Sequence, residues 1–117
     1  MIKDFKIIRG DSLVISFTLT SNGLPYILQT NDNLYFSIKQ NAQDNTAMIK
    51  KSTSSGIAYN STTGKYEITL SSSDTQYLLD TSLVYDIELV MSDGIVITLC
   101  MGHLFIDLDV TMPINRS

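Results

Sequence analysis

The sequence predicts an all-β fold, an antiparallel β-sandwich of about eight strands, and three observations predict it. Apolar and polar residues alternate with a period of two almost from end to end, which puts successive side chains on opposite faces of a strand. Turn residues interrupt the alternation at intervals of about ten residues. The composition is also wrong for long helices, because only 17% of the 117 residues are charged, against a usual share of about 25%. Ser, Thr and Asn fill 33 positions instead, and these types favour turns, caps and strands.

The strands are expected at Asp4 to Arg9, Leu13 to Thr20, Asn33 to Gln40, Ala47 to Lys51, Ile57 to Asn60, Lys65 to Ser71, Leu83 to Met91 and Ile95 to Phe105. Val110 to Pro113 extends the last. Leu34, Phe36 and Ile38 alternate with Tyr35, Ser37 and Lys39, and Tyr85, Ile87 and Leu89 with Asp86 and Glu88. One apolar and one polar face per strand is the pattern of sheets packed face to face. Phe17, Phe36, Ile68, Ile87 and Leu89 are the expected core. Asn22-Gly23, Thr63-Gly64 and Ser92-Asp93-Gly94 supply turns, the last as a two-residue hairpin. Hydrophobic parity changes near Gly102, which predicts a β-bulge there. One helical turn is expected within Ser72 to Leu79, capped by Ser73 or Asp74. Short strands with regular turns define an immunoglobulin-like sandwich, and the length suits one domain over residues 1–117.

Composition excludes several functions. A formal net charge of −4 opposes nucleic acid as the main partner. No apolar run approaches the ~20 residues of a membrane helix, and Met1-Ile2-Lys3-Asp4-Phe5 is not a signal peptide. A single cysteine forms no disulfide within the chain and no clustered-cysteine zinc site. No cofactor is expected.

Each candidate motif has a plainer structural reading beside its functional one. Arg9-Gly10-Asp11-Ser12 spells an adhesion tripeptide, but a cation and an anion around a glycine also make an ordinary turn. Asp107 and Asp109 share one face, yet calcium needs six to eight oxygens, so a solvated edge is the better reading. Cys100 and His103 give two ligands where structural zinc needs four. Neither has a base or an orienting carboxylate at a known spacing. No enzyme is expected. Asn60-Ser61-Thr62 matches a glycosylation sequon and more simply leads into the turn at Gly64. Tyr85 is either a corner tyrosine bonded to the preceding loop or a core-facing aromatic. Tyr26, Tyr35 and Tyr59 are candidates for lining a binding surface.

The order of these pieces carries a resemblance. Arg9-Gly10-Asp11-Ser12 is followed by Gly23-Leu24-Pro25 and by Asn33-Leu34-Tyr35-Phe36-Ser37-Ile38-Lys39. Then come Gly64-Lys65-Tyr66-Glu67-Ile68-Thr69-Leu70, Asp74-Thr75, Tyr85-Asp86-Ile87-Glu88-Leu89, Asp93-Gly94, Thr98 and Gly102-His103-Leu104-Phe105. From about Phe5 to Ile106 the chain resembles the immunoglobulin-like N-terminal module of phage upper baseplate proteins and related tail or neck components. It departs from them at Asp80-Thr81-Ser82-Leu83, where such modules tend to carry a glycine. The resemblance implies a stand-alone structural module of a virion or prophage, made in the bacterial cytoplasm, with other virion proteins or itself as partner. The alternative is a carbohydrate-binding or adhesion module with a glycan partner.

Charge suggests the surface. Met1 to Leu70 carries a net +2 and Ser71 to Ser117 a net −6. A basic side (Lys39, Lys50, Lys51) is therefore expected to meet an acidic side (Asp86, Glu88, Asp107, Asp109) of the next copy. Such a head-to-tail contact closes into rings when the rotation permits.

Overall fold

A computed structural model describes residues 3–78 and 82–107. In chain order its elements are β1 (Phe5–Ile8), β2 (Leu13–Phe17), β3 (Thr20–Ser21), β4 (Leu24–Pro25), β5 (Asn33–Lys39), β6 (Ile49–Ser52), β7 (Ile57–Asn60), β8 (Lys65–Leu70), α1 (Ser72–Gln76), β9 (Ser82–Val90) and β10 (Val96–Asp107). Five strands form one sheet in the order β1-β10-β9-β5-β6, and three form the facing sheet in the order β2-β8-β7. Among the described strands β1 alone runs parallel to its neighbour; the other pairs are antiparallel. This is the strand order of an immunoglobulin-type sandwich with an extra strand, β6, on the larger sheet. The small β3–β4 ribbon turns at Asn22-Gly23, both with positive φ (54° and 79°), as a two-residue hairpin requires.

The core lies between the sheets. Leu34, Phe36 and Ile38 of β5 and Leu83, Tyr85, Ile87 and Leu89 of β9 are buried from one side. Ile15, Ile57, Tyr66, Ile68 and Leu70 close it from the other. Every second residue of β5 and β9 is buried, so the alternation read in the sequence is the alternation of faces. Phe17 departs from its expected place: it is half-buried and stacks on Tyr66 with ring centroids 5.9 Å apart. It ends an edge strand, so among the described residues no strand pairs with its second flank.

The β-bulge expected near Gly102 is present in β10, but it lies at Leu99 and not at the glycine itself. The register slips between Thr98 and Cys100, pairing them with Glu88 and Ile87, so one extra residue enters before Gly102. Gly102 is needed for close approach, since a Cβ there would collide with the carbonyl of Lys3. The turn after β9 is longer than the two-residue form its Asp-Gly pair suggests. It runs from Met91 to Ile95, with the Gly94 N–H donated to the Met91 carbonyl (2.9 Å). The Met91 N–H closes the loop on the Ile95 carbonyl (2.8 Å), and the Ser92 N–H reaches the Asp32 carboxylate at 2.9 Å.

Helix α1 begins at Ser72, the start of the expected stretch, but its cap lies two residues ahead of Ser73, the nearer of the two expected caps. Ser71 is its cap: its hydroxyl accepts the Asp74 N–H, and the Asp74 carboxylate accepts the Ser71 N–H. That reciprocal pair satisfies two donors that a helix start leaves open. The expected end of this turn at Leu79, the Asp80-Thr81 departure and the Val110 to Pro113 extension lie outside the described residues.

Candidate interaction surface

With alternate residues committed to the core, the outer face of the five-stranded sheet is set by what remains. Tyr35, Ser37 and Lys39 stand on β5, Lys50 on β6, and Val84, Asp86 and Glu88 on β9. Past the bulge, β10 contributes Met101, His103, Phe105 and Asp107, and β1 contributes Lys6 and Ile8. Register places Ser37 between Lys50 and Asp86, Tyr35 beside Glu88, and Met101 beside Asp86.

This face has an apolar and a charged part. Ile8, Met101 and Phe105 are 44–48% exposed, and the His103 ring stacks on Phe105 at 6.0 Å. Their neighbours are charged. Lys6 pairs with Asp107 at 3.0 Å, and the Lys50 ammonium lies 5.0 Å from the Tyr35 ring centre. A shallow depression of about 430 Å³ runs between them, lined by Ser37, Lys39, Val84, Asp86, Met101 and His103.

The charged residues singled out in the sequence separate here. Lys39, Lys50, Asp86, Glu88 and Asp107 share the outer face, because antiparallel register lays the β5–β6 hairpin beside β9. Basic and acidic groups are interleaved on one surface, so the expected two-sided molecule is corrected. Lys51 is corrected too. It stands opposite Phe36 on the inward parity of β6, and its ammonium lies 2.9 Å from Asp74, both side chains being about 20% exposed. It therefore ties the edge of one sheet to the cap of α1. Partial burial disfavours the Asp74 charge, but the Lys51 ammonium and the Ser71 hydrogen bonds outweigh it and hold the carboxyl below its ordinary range. Asp109 lies outside the described residues.

The other motifs have structural roles. Gly10 adopts φ 90°, and its N–H is donated to the buried Thr75 hydroxyl (3.0 Å), which donates in turn to the Asp11 carbonyl (2.7 Å). The Arg-Gly-Asp segment is thus a turn pinned to α1. Tyr85 is a core-facing aromatic whose hydroxyl donates to the Lys3 carbonyl and lies 3.3 Å from the Cys100 sulfur. It secures the N-terminal segment, and no bond to the preceding loop is seen among the described residues. Burial and the Cys100 contact push its hydroxyl upward. Tyr26 donates to Asp32 in a loop, Tyr35 lies on the five-stranded sheet, and Tyr59 packs on Tyr66 of the other. These three tyrosines form no common platform.

Sequence reasoning missed the apolar members of the surface. Phe105 has the parity opposite to Leu104 and Ile106, a sufficient signal for its outward direction. For Met101 the bulge hides the signal, since unbroken alternation places it with Ile97 and Leu99.

No family model matches the chain, and no curated protein matches it. Among solved structures it is similar to an extracellular domain of the voltage-gated sodium channel beta4 subunit, described in work on parallel homodimers and cell-cell adhesion. Identity is 17%, 93% of each chain is covered, and the TM-score is 0.49.

Proposed function

We propose that this chain is a non-enzymatic, immunoglobulin-like assembly module of a phage or prophage virion. It acts in a baseplate, tail or neck through protein–protein contacts. The observation that carries the contact role is the outer face of the five-stranded sheet. There Ile8, Met101 and Phe105 stay exposed on regular strands, with charges of both signs around them. Apolar side chains grouped within a charged rim are how protein interfaces are built. The ordered motifs from Arg9-Gly10-Asp11-Ser12 to Gly102-His103-Leu104-Phe105 support the virion setting. Complementary charge on such a face sets register and association rate more than affinity, which leaves affinity to the apolar members.

The experiment is proteomics on particles purified after prophage induction in the host strain, comparing the wild-type chain with Phe105→Glu. The wild-type chain is expected in the particles and the variant is expected to be depleted from them, with its melting midpoint unchanged. Absence of the wild-type chain from particles removes the virion role. Equal incorporation of Phe105→Glu removes the outer face.

A further inference from the structure

Among the described residues the two main sheets have four edge strands, and three of them are guarded. An open edge is a row of unpaired backbone groups that another strand can join, and native proteins protect it with charges, prolines or short strands. β6 carries Lys50 and Lys51, β1 has four residues with Lys6, and β7 has four. β2 differs. Its five residues, Leu13-Val14-Ile15-Ser16-Phe17, include no charge, no proline and no glycine. Its second flank has no strand among the described residues, because β1 is given wholly to β10.

The side chains along this edge are incompletely covered. Ile15 is buried, while Leu13 and Phe17 on either side of it are only half-buried. Val14, on the outer parity, is 53% exposed. Beside Phe17 a cleft of about 460 Å³ opens between the sheets, with Phe5, Leu99 and Cys100 in its walls and Lys3 and Lys65 also lining it.

We propose that β2 pairs antiparallel with β2 of a second copy about a twofold axis at Ile15, joining two three-stranded sheets into one of six strands. The segment is self-complementary in that register. Ile15 meets Ile15, Leu13 of each copy meets Phe17 of the other, and Val14 meets Ser16. The inward row thus gains the apolar neighbours it lacks, and cross-strand apolar pairs are the unit of sheet stabilisation. Charge agrees with the direction of pairing. The Phe17 end, near Lys3 and Lys65, approaches the Leu13 end of the second copy, which Asp11 precedes by two residues. An isologous contact of this kind closes at two copies, and it leaves the outer face of the five-stranded sheet open for a different partner.

The test is sedimentation velocity over a wide concentration range on the full chain and two double variants. In Val14→Lys with Ser16→Lys, like charges stand directly opposite on both sides of the twofold axis. Its dimerisation is expected to be on the order of tenfold weaker than wild type. Val14→Glu with Ser16→Glu is expected to weaken likewise, and an equimolar mixture of the two variants to restore the dimer. In the wild-type chain, amide exchange along β2 is expected to slow as concentration rises while that along β6 does not. This second measurement needs no variant to fold. A wild-type chain that stays monomeric throughout overturns the proposal. So does association that neither double variant alters, or β2 exchange that ignores concentration; these outcomes leave the outer-face reading standing.

Discussion

Phe36 and Phe17 both point between the sheets, and their surroundings differ. Phe36 lies in β5 with β9 on one side and β6 on the other, and its exposure is 0%. Its ring centre is 5.9 Å from that of Tyr85. Phe17 closes β2, has β8 alone beside it among the described strands, and remains half-buried against Tyr66. The face a side chain takes follows from its parity along the strand, but the seal around it depends on how many strands flank its own. The centre of this molecule is therefore sealed on both flanks, whereas its β2 margin is sealed on one among the described residues.

The largest expected effect tests that contrast directly. Phe36→Ala should cost ~3–5 kcal/mol, as emptying a core aromatic site does, which approaches the whole stability of a small domain. Phe17→Ala should cost roughly half as much, since part of its surface already meets water. Urea denaturation of both variants measures the pair, and equal losses would break the distinction between centre and margin.

The turn leading into β2 comes next. Thr75→Val keeps the shape but removes the hydroxyl that accepts the Gly10 N–H and donates to the Asp11 carbonyl. A buried amide left without a partner costs ~1–3 kcal/mol. Thr75→Ser should recover most of that loss. A neutral Thr75→Val would show that the margin is not anchored there.

A smaller effect concerns the opposite end of the sandwich. Asp32 is buried at 8% exposure and accepts the Tyr26 hydroxyl (2.7 Å) and the N–H groups of Gln29 and Ser92 (2.9 Å each). The Tyr26 bond first, then the backbone bonds, hold its carboxyl below the ordinary value. Unfolding releases the group to its ordinary pKa of about 4. Its contribution is therefore complete above about pH 4 and is lost as pH falls through the lower folded value. The melting midpoint of the wild-type chain should drop more steeply below pH 4 than that of Asp32→Asn, whose curve should lack this component. Parallel curves would remove Asp32 as the tie between its loop and the Met91–Ile95 turn.

The smallest effect expected is that of salt on the outer face. Lys39, Lys50, Asp86 and Glu88 are solvated charges, so any association they guide should weaken between low salt and ~0.5 M, where screening is nearly complete beyond a few ångströms. Pairing through the uncharged β2 edge should respond much less. Sedimentation across that range separates the two surfaces, and a salt-insensitive outer-face contact would mean that its apolar members act alone.

Much of this was legible in the chain and some was not. The eight main strands, their inward rows and the single helical turn follow from alternation and turn chemistry, which are local. Lys51 was misread because its charge is local information, while its pairing with Asp74 joins segments far apart in the chain. Gly102 was recognised as special for the wrong reason. A parity change is visible in sequence, but the approach of the Lys3 carbonyl to that backbone is a contact between distant segments. Asp32 carried no sequence signal, since its partner Ser92 is 60 residues away.

By itself, then, the sequence determined which residues face inward, where the chain turns and that the layers are sheets, because period and turn residues act over a few neighbours. Tertiary structure decided which strands have neighbours on both sides. The parallel placement of β1 against β10 leaves β2 with one strand neighbour among the described residues, and the β5–β6 hairpin beside β9 interleaves lysines with carboxylates. The physical reason is that strand order is a property of pairing across the whole chain, while the periodicity of one strand is silent about what lies beside it.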